Sequence, residues 1–335
     1  MKLTLFAALA ALCVSHSVAA RTLNVAMNGE DGPDCGDTRE PCRTITVAIA
    51  NADGGDTVEV GPGLYGDLNR DGDMNDVYEE GALGLGACVC AVDVNKRVTV
   101  RSRDGADVTI IEAGPATRGV RINANGATLG ATHGGFTITG ATAGVWTPAG
   151  IEDVRVVGNT VRGATSDGFF TEGGVRYEAN RAIRNGGMGF NSNLAEVTVQ
   201  DCIAQSNAAS GFYFSQSDSR VRKSLALANG SFGFFTLQGA DDFSGIASLA
   251  NQGGVYYDES SDPLRGSSVF GNGIANASNC GIGTNVSGLS MPGNFWGAAT
   301  GPGAEPADAQ CPGSADIALT PARKTEVKVV PKATR

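Results

Sequence analysis

Oxygen-bearing side chains fall at alternate positions in one short stretch, Asp67, Asn69, Asp71, Asp73 and Asn75, with Gly72 among them. A tight loop turns most sharply at its glycine and aims alternate side chains inward, so this spacing suits a hard divalent cation, Ca2+ foremost. The loop position that would carry a bidentate acid is Tyr78, and Glu79 and Glu80 follow it. The competing reading is an acidic, solvated turn. Three further sets could do chemistry. Arg155, Arg176 and Arg220 could hold the carboxylates or sulfates of an acidic substrate. Glu152, Glu196, Asp218, Asp241 and Asp262 could supply the two carboxyls of glycoside hydrolysis, although turns favour acidic residues for geometric reasons alone. Arg155, Arg176, Arg220, Asp218 and Asp241 are therefore the catalytic candidates. Trp146, Phe170, Tyr213, Phe235 and Tyr256 could offer ring faces to sugars.

What positions these residues is a repeat. The pairs Gly144-Val145, Gly168-Phe169, Gly189-Phe190, Gly211-Phe212, Gly233-Phe234 and Gly254-Val255 recur at a period of about 22 residues, and Asn185, Asn207, Asn229, Asn251 and Asn272 keep step with them. Between the markers lie short β-branched or aromatic runs such as Val154-Arg155-Val156-Val157 and Phe212-Tyr213-Phe214. Such runs are too short for helices and fit one rung of a stacked solenoid, in which equivalent residues lie above one another. The asparagines would then form a hydrogen-bonded ladder at a bend, in a left-handed conformation that Asn tolerates. If the residue after each glycine faces in, the aromatic set forms an outward column by alternation. The two sets of charges form columns of their own.

With these residues in view, the chain resembles the right-handed parallel β-helix proteins of the pectate-lyase-like superfamily. Pro41 to Ala50, followed by Gly54 to Tyr65, is similar to that family's opening, in which a short helix caps the first strand and a PGxY turn follows. Gly293-Asn294-Phe295-Trp296-Gly297 with Gly301-Pro302 resembles its NxWG…GP closure. The resemblance implies an all-β, single-stranded right-handed parallel β-helix with an N-terminal capping helix. Its expected layout is a cap over 21–55, a solenoid over 56–297 with a calcium-loop-like insertion at 67–80, and a C-terminal closure with a loose basic tail over 298–335. The insertion is itself similar to the calcium loops of EF-hand and dockerin type. In the β-eliminating relatives an arginine or lysine acts as base while a cation neutralises the substrate carboxylate. The fold also serves hydrolases, epimerases and adhesins, so it does not choose a function.

Residues 1–20 have the order of a secretory signal, Lys2, then an apolar run from Leu3 to Val14, then Val18 and Ala20 before an expected cut at Arg21. A secreted, periplasmic or cell-surface protein is expected, with no membrane span, because the apolar run is too short. The formal net charge of -10 disfavours nucleic acid as a partner. Export permits disulfides; spacing favours Cys35 with Cys42 and Cys280 with Cys311, while a bridge between Cys88 and Cys90 would be strained, and Cys202 reads as a small buried hydrophobe. After the cut His133 is the sole histidine, which removes histidine-based triads and His-rich metal sites. The leading expectation is binding, with cleavage as its catalytic form, of an extracellular polysaccharide on the outer face, an acidic one if the arginines engage it. The rival is a non-catalytic, adhesin-like module.

Overall fold

The computed structural model describes residues 19–332 except 72, 75, 77, 78, 82–87, 116, 261–263, 274–279, 305 and 306. The signal segment up to residue 18, Asn75, Tyr78 and Asp262 thus lie outside the described residues. Among those described, three parallel sheets of nine strands each account for nearly all regular structure. Each rung visits them in turn. In one, Glu196–Gln200 belongs to sheet A, Ile203–Gln205 to sheet B and Phe212–Ser215 to sheet C, before Asp218–Arg222 re-enters sheet A directly above Glu196–Gln200. The chain is a parallel β-helix.

The stack opens earlier than the spacing suggests. Thr22–Val25 already pairs in register with Thr57–Val60, so the segment before residue 56 supplies the first strand of sheet A. The helix Ile45–Asn51 closes this end. Thr44 caps it by accepting the N–H of Val47 at 3.2 Å, and Ile45, Ala48 and Ile49 are buried. Covering the end removes an apolar, unpaired edge from water.

Inside, Phe169, Phe190, Phe212 and Phe234 stack with ring centroids 4.6–4.8 Å apart. The strand spacing of about 4.8 Å sets that separation, so the repeated phenylalanine packs against itself. At the bend between sheets B and C, each asparagine amide donates to the carbonyl of the next: Asn185 to Asn207 at 2.9 Å, Asn207 to Asn229 at 2.9 Å, Asn229 to Asn251 at 2.8 Å and Asn251 to Asn272 at 3.1 Å. The asparagines do not take the left-handed conformation expected of them. The preceding residues do, Arg184, Ser206, Ala228 and Ala250 with φ of 53–56°. The amide must face inward to reach its neighbour, and placing the bend one residue earlier turns it there. The glycine after the ladder is required by crowding: a Cβ on Gly211 would lie 2.8 Å from the Asn229 amide nitrogen and 2.8 Å from the carbonyl oxygen of Gly233.

Among the described residues the bridges are Cys35–Cys42, Cys88–Cys90 and Cys280–Cys311. The middle one joins the two cysteines whose spacing predicts strain, and their Cα atoms lie 5.3 Å apart. Cys202 is free and buried.

The tail is also better ordered than its composition suggests. Val327 exchanges two hydrogen bonds with the Ser268 hydroxyl, and Lys332 lines a cavity of about 270 Å3 with Asp104, His133, Thr160 and Arg181. Ser268 and Arg181 lie four strands apart in sheet B, about 19 Å, so the residues between Val327 and Lys332 must run almost fully extended along the stack. Between those two rungs on sheet B lie Ala247, Leu225 and Ile203. Ile203 and Ala247 are only 3% and 4% exposed, and Ile203 packs with Ala179 and Leu225.

Candidate functional site

Two outer faces carry the candidate residues. On sheet C the register places Asp93, Arg121, Trp146, Phe170, Asn191, Tyr213, Phe235 and Tyr256 in one column. The aromatic members are half-buried and point outward, while their strand neighbours face in. The ring faces of Tyr213, Phe235 and Tyr256, however, are engaged. Tyr213 and Phe235 lie 5.3 Å apart at 11°, and Phe235 and Tyr256 lie 5.4 Å apart at 8°. Those separations are too short for rings side by side in one plane, so the faces meet along the stacking axis and the rims look outward. At the other end Arg118 lies over the Trp146 ring at 4.2 Å, and the indole N–H donates to Glu172 at 3.4 Å. The outward aromatic column is thus present, and within it the Tyr213, Phe235 and Tyr256 rings, one strand spacing apart, stack on one another.

On sheet A a second column runs Thr128, Arg155, Arg176, Thr198, Arg220 and Asp242 in unbroken register. The three arginines are exposed. Arg155 approaches Glu178 at 3.9 Å, whereas among the described residues Arg176 and Arg220 form no ion pair. Glu196 and Asp218 are opposite each other on adjacent strands beside this column. A cavity of about 400 Å3 is lined by Glu152, Arg155, Arg176, Glu196 and Thr198, and a smaller one of about 110 Å3 by Glu196, Thr198, Asp218, Arg220 and Asp242. The two share Glu196 and Thr198, so they form one shallow groove along the solenoid axis.

Asp241 leaves the catalytic set. It is fully buried, accepts the N–H of Ser219 at 3.0 Å and the hydroxyl of Thr236, and so serves the turn into sheet A. Asp218, Arg155, Arg176 and Arg220 stay at the surface on one sheet, and the aromatic column occupies another.

Several participants escaped the sequence reading. Asp93 and Arg121 extend the sheet C column as a buried two-pronged ion pair, with bonds of 2.6 and 2.9 Å. Asn159 and Asn180 form a second, short ladder at the bend between sheets A and B, joined at 2.9 and 3.3 Å. Their spacing of 21 residues was a usable signal.

No family model matches the chain, and no curated protein matches it in sequence. Among solved structures it is similar to the pectate lyase Pel9A, at 14% identity over 92% of this chain and 80% of that one, with a TM-score of 0.46. It is also similar to a GH136 lacto-N-biosidase from Eubacterium ramulus, at 10% identity over 92% and 68% of the two chains, with a TM-score of 0.50. At such identities the likeness speaks for the fold alone. No helix among the described residues is long and apolar enough to cross a membrane.

Proposed function

We propose that this chain binds an extended acidic polysaccharide lengthwise in the sheet A groove, with Arg155, Arg176 and Arg220 holding its carboxylates or sulfates. The observation that carries this reading is the column of exposed guanidiniums in register on one face, two of them without an ion pair among the described residues. Strands spaced about 4.8 Å apart repeat on the scale of a sugar residue, so one polymer can meet several rungs at once. Guanidinium offers paired, planar donors that match carboxylate and sulfate. That a solved β-helix of similar fold is named a lacto-N-biosidase agrees with a carbohydrate ligand.

The test is binding of the purified chain to uronate-containing, sulfated and neutral polysaccharides at increasing salt, for wild type and for Arg176→Gln/Arg220→Gln. Preference for the acidic polymers, weakening with salt and at least tenfold weaker binding by the double variant are expected. Equal binding of neutral polymers, or a double variant that binds as wild type does, would overturn the proposal.

Cleavage is a second reading, favoured by Glu196 and Asp218 lining the same groove as the arginines. Unsaturated-uronate absorbance would mark elimination, reducing ends without it would mark hydrolysis, and binding with neither would mark a module.

A further inference from the structure

We infer that the loop from Asp67 to Glu79 is a calcium site whose buried ligand is Glu79. This site is independent of the polysaccharide groove. The insertion leaves sheet B after Gly63–Gly66 and fills the place taken in later rungs by the asparagine bend. Asp67 is fully buried and Glu79 is 6% exposed. One Glu79 oxygen accepts the N–H groups of Leu68 and Asn69 at 2.8 and 3.2 Å, which fixes the carboxylate against the first turn of the loop. Its other oxygen is buried without a hydrogen-bond partner among the described residues.

A carboxylate oxygen in that state is costly unless a cation meets it. The local alternative is engaged elsewhere, because the Arg70 guanidinium turns away to Glu112 at 3.2 Å. Meanwhile Asn69 holds the carboxylates of Asp71 and Asp76 together, donating to them at 3.0 and 2.9 Å. Among the described residues no three of the loop carboxylates have ligand atoms within 4.8 Å of one another, so an ion would have to gather them around Glu79, and donors that are all oxygen suit calcium over softer metals. Tyr78, at the position that normally carries the acid, is followed at once by Glu79, so a loop one residue longer keeps a terminal carboxylate ligand.

The same segment grips the cap of the solenoid. Glu80, next in sequence, accepts the N–H groups of Ile45 and Thr46 at 2.6 and 2.9 Å and the Thr46 hydroxyl at 2.7 Å. A cation on Glu79 would therefore brace the capping helix through its neighbour.

The experiment is calorimetric titration of the full chain, stripped with chelator, with CaCl2, beside its thermal unfolding. Saturable heat with one ion per chain and a rise in Tm are expected. Glu79→Gln, which preserves the bonds to Leu68 and Asn69, should weaken binding at least tenfold, and exposed Asp71→Asn should also weaken it. Asp316→Asn, far from the loop in sequence, should bind as wild type does. Absence of both heat and Tm shift at millimolar CaCl2 would overturn the inference. So would undiminished binding by folded Glu79→Gln; were that variant unfolded, undiminished binding by Asp71→Asn would do so instead.

Discussion

The side-chain amide of Asn272 donates to a carboxylate oxygen of Asp308 at 2.7 Å, and there the asparagine ladder stops. Asn207, Asn229 and Asn251 each donate to the next amide and accept from the one before. A carboxylate only accepts, so it can end such a series without leaving a donor over. Asp308 also receives the backbone N–H of Asn272 at 3.2–3.3 Å.

Asp308→Ala should then strand both donors of Asn272 in a buried place. A loss of about 1–3 kcal/mol in urea unfolding is expected, with Asp308→Asn recovering most of it because its carbonyl still accepts. Equal losses for the two variants would show that packing, not acceptance, is the role of this side chain.

Asn229 sits mid-ladder, donating to the Ala204 carbonyl at 3.0 Å and to Asn251, and accepting from Asn207. Asn229→Val removes all of these at once, and about 2–4 kcal/mol of stability should go with them. Circular dichroism during denaturant titration reads the loss, and a change below about 0.5 kcal/mol would deny the ladder any stabilising share.

The repeat, the sheet alternation and the identity of the stacked residues were legible because a β-helix converts sequence spacing directly into spatial register. Gly211 and Phe212 needed no tertiary knowledge to be placed. What spacing could not supply was direction within a column: that the Tyr213 and Phe235 rings would turn toward each other follows from their being one strand apart, not from their being aromatic. Nor could it separate Asp218 from Asp241. Both are acids near the entry to sheet A, yet one is exposed and the other is buried as a turn acceptor. The grip of Glu80 on Ile45 joins residues 35 apart, a contact that no period announces.

Because the ring faces are spent on one another, Tyr213→Ala and Phe235→Ala should act on stability. Each should lower it by about 1–3 kcal/mol and leave polysaccharide affinity within twofold of wild type. Parallel melting curves and binding isotherms separate the two effects. A tenfold loss of affinity without a fall in Tm would place the ligand on sheet C instead.

Burial pushes the Cys202 thiol up to about 12, with weaker opposing help from the backbone and side chain of Asn180. The unfolded value is lower, so the stability contributed by the neutral thiol is complete below the unfolded value and is lost as pH rises through about 12. At pH 8 a disulfide-exchange reagent should therefore find no reactive thiol in a folded chain beginning at Arg21, and one after denaturation. Rapid native labelling would mean that the rung around Cys202 opens readily.

The extended run from Val327 to Lys332 changes how the solenoid can come apart. A stack of rungs behaves as a one-dimensional chain of nearest neighbours, free to fray from either end. Here residues 327–332 reach back to rungs well before them in sequence, Val327 bonding to Ser268, 59 positions earlier, and Lys332 lining one cavity with Arg181. Loss of the C-terminal segment cannot proceed alone, since it must also release Val327 from Ser268 and Lys332 from the cavity beside Arg181. A nearest-neighbour architecture thereby acquires one long-range tie, and melting that would spread rung by rung is drawn toward a single cooperative step.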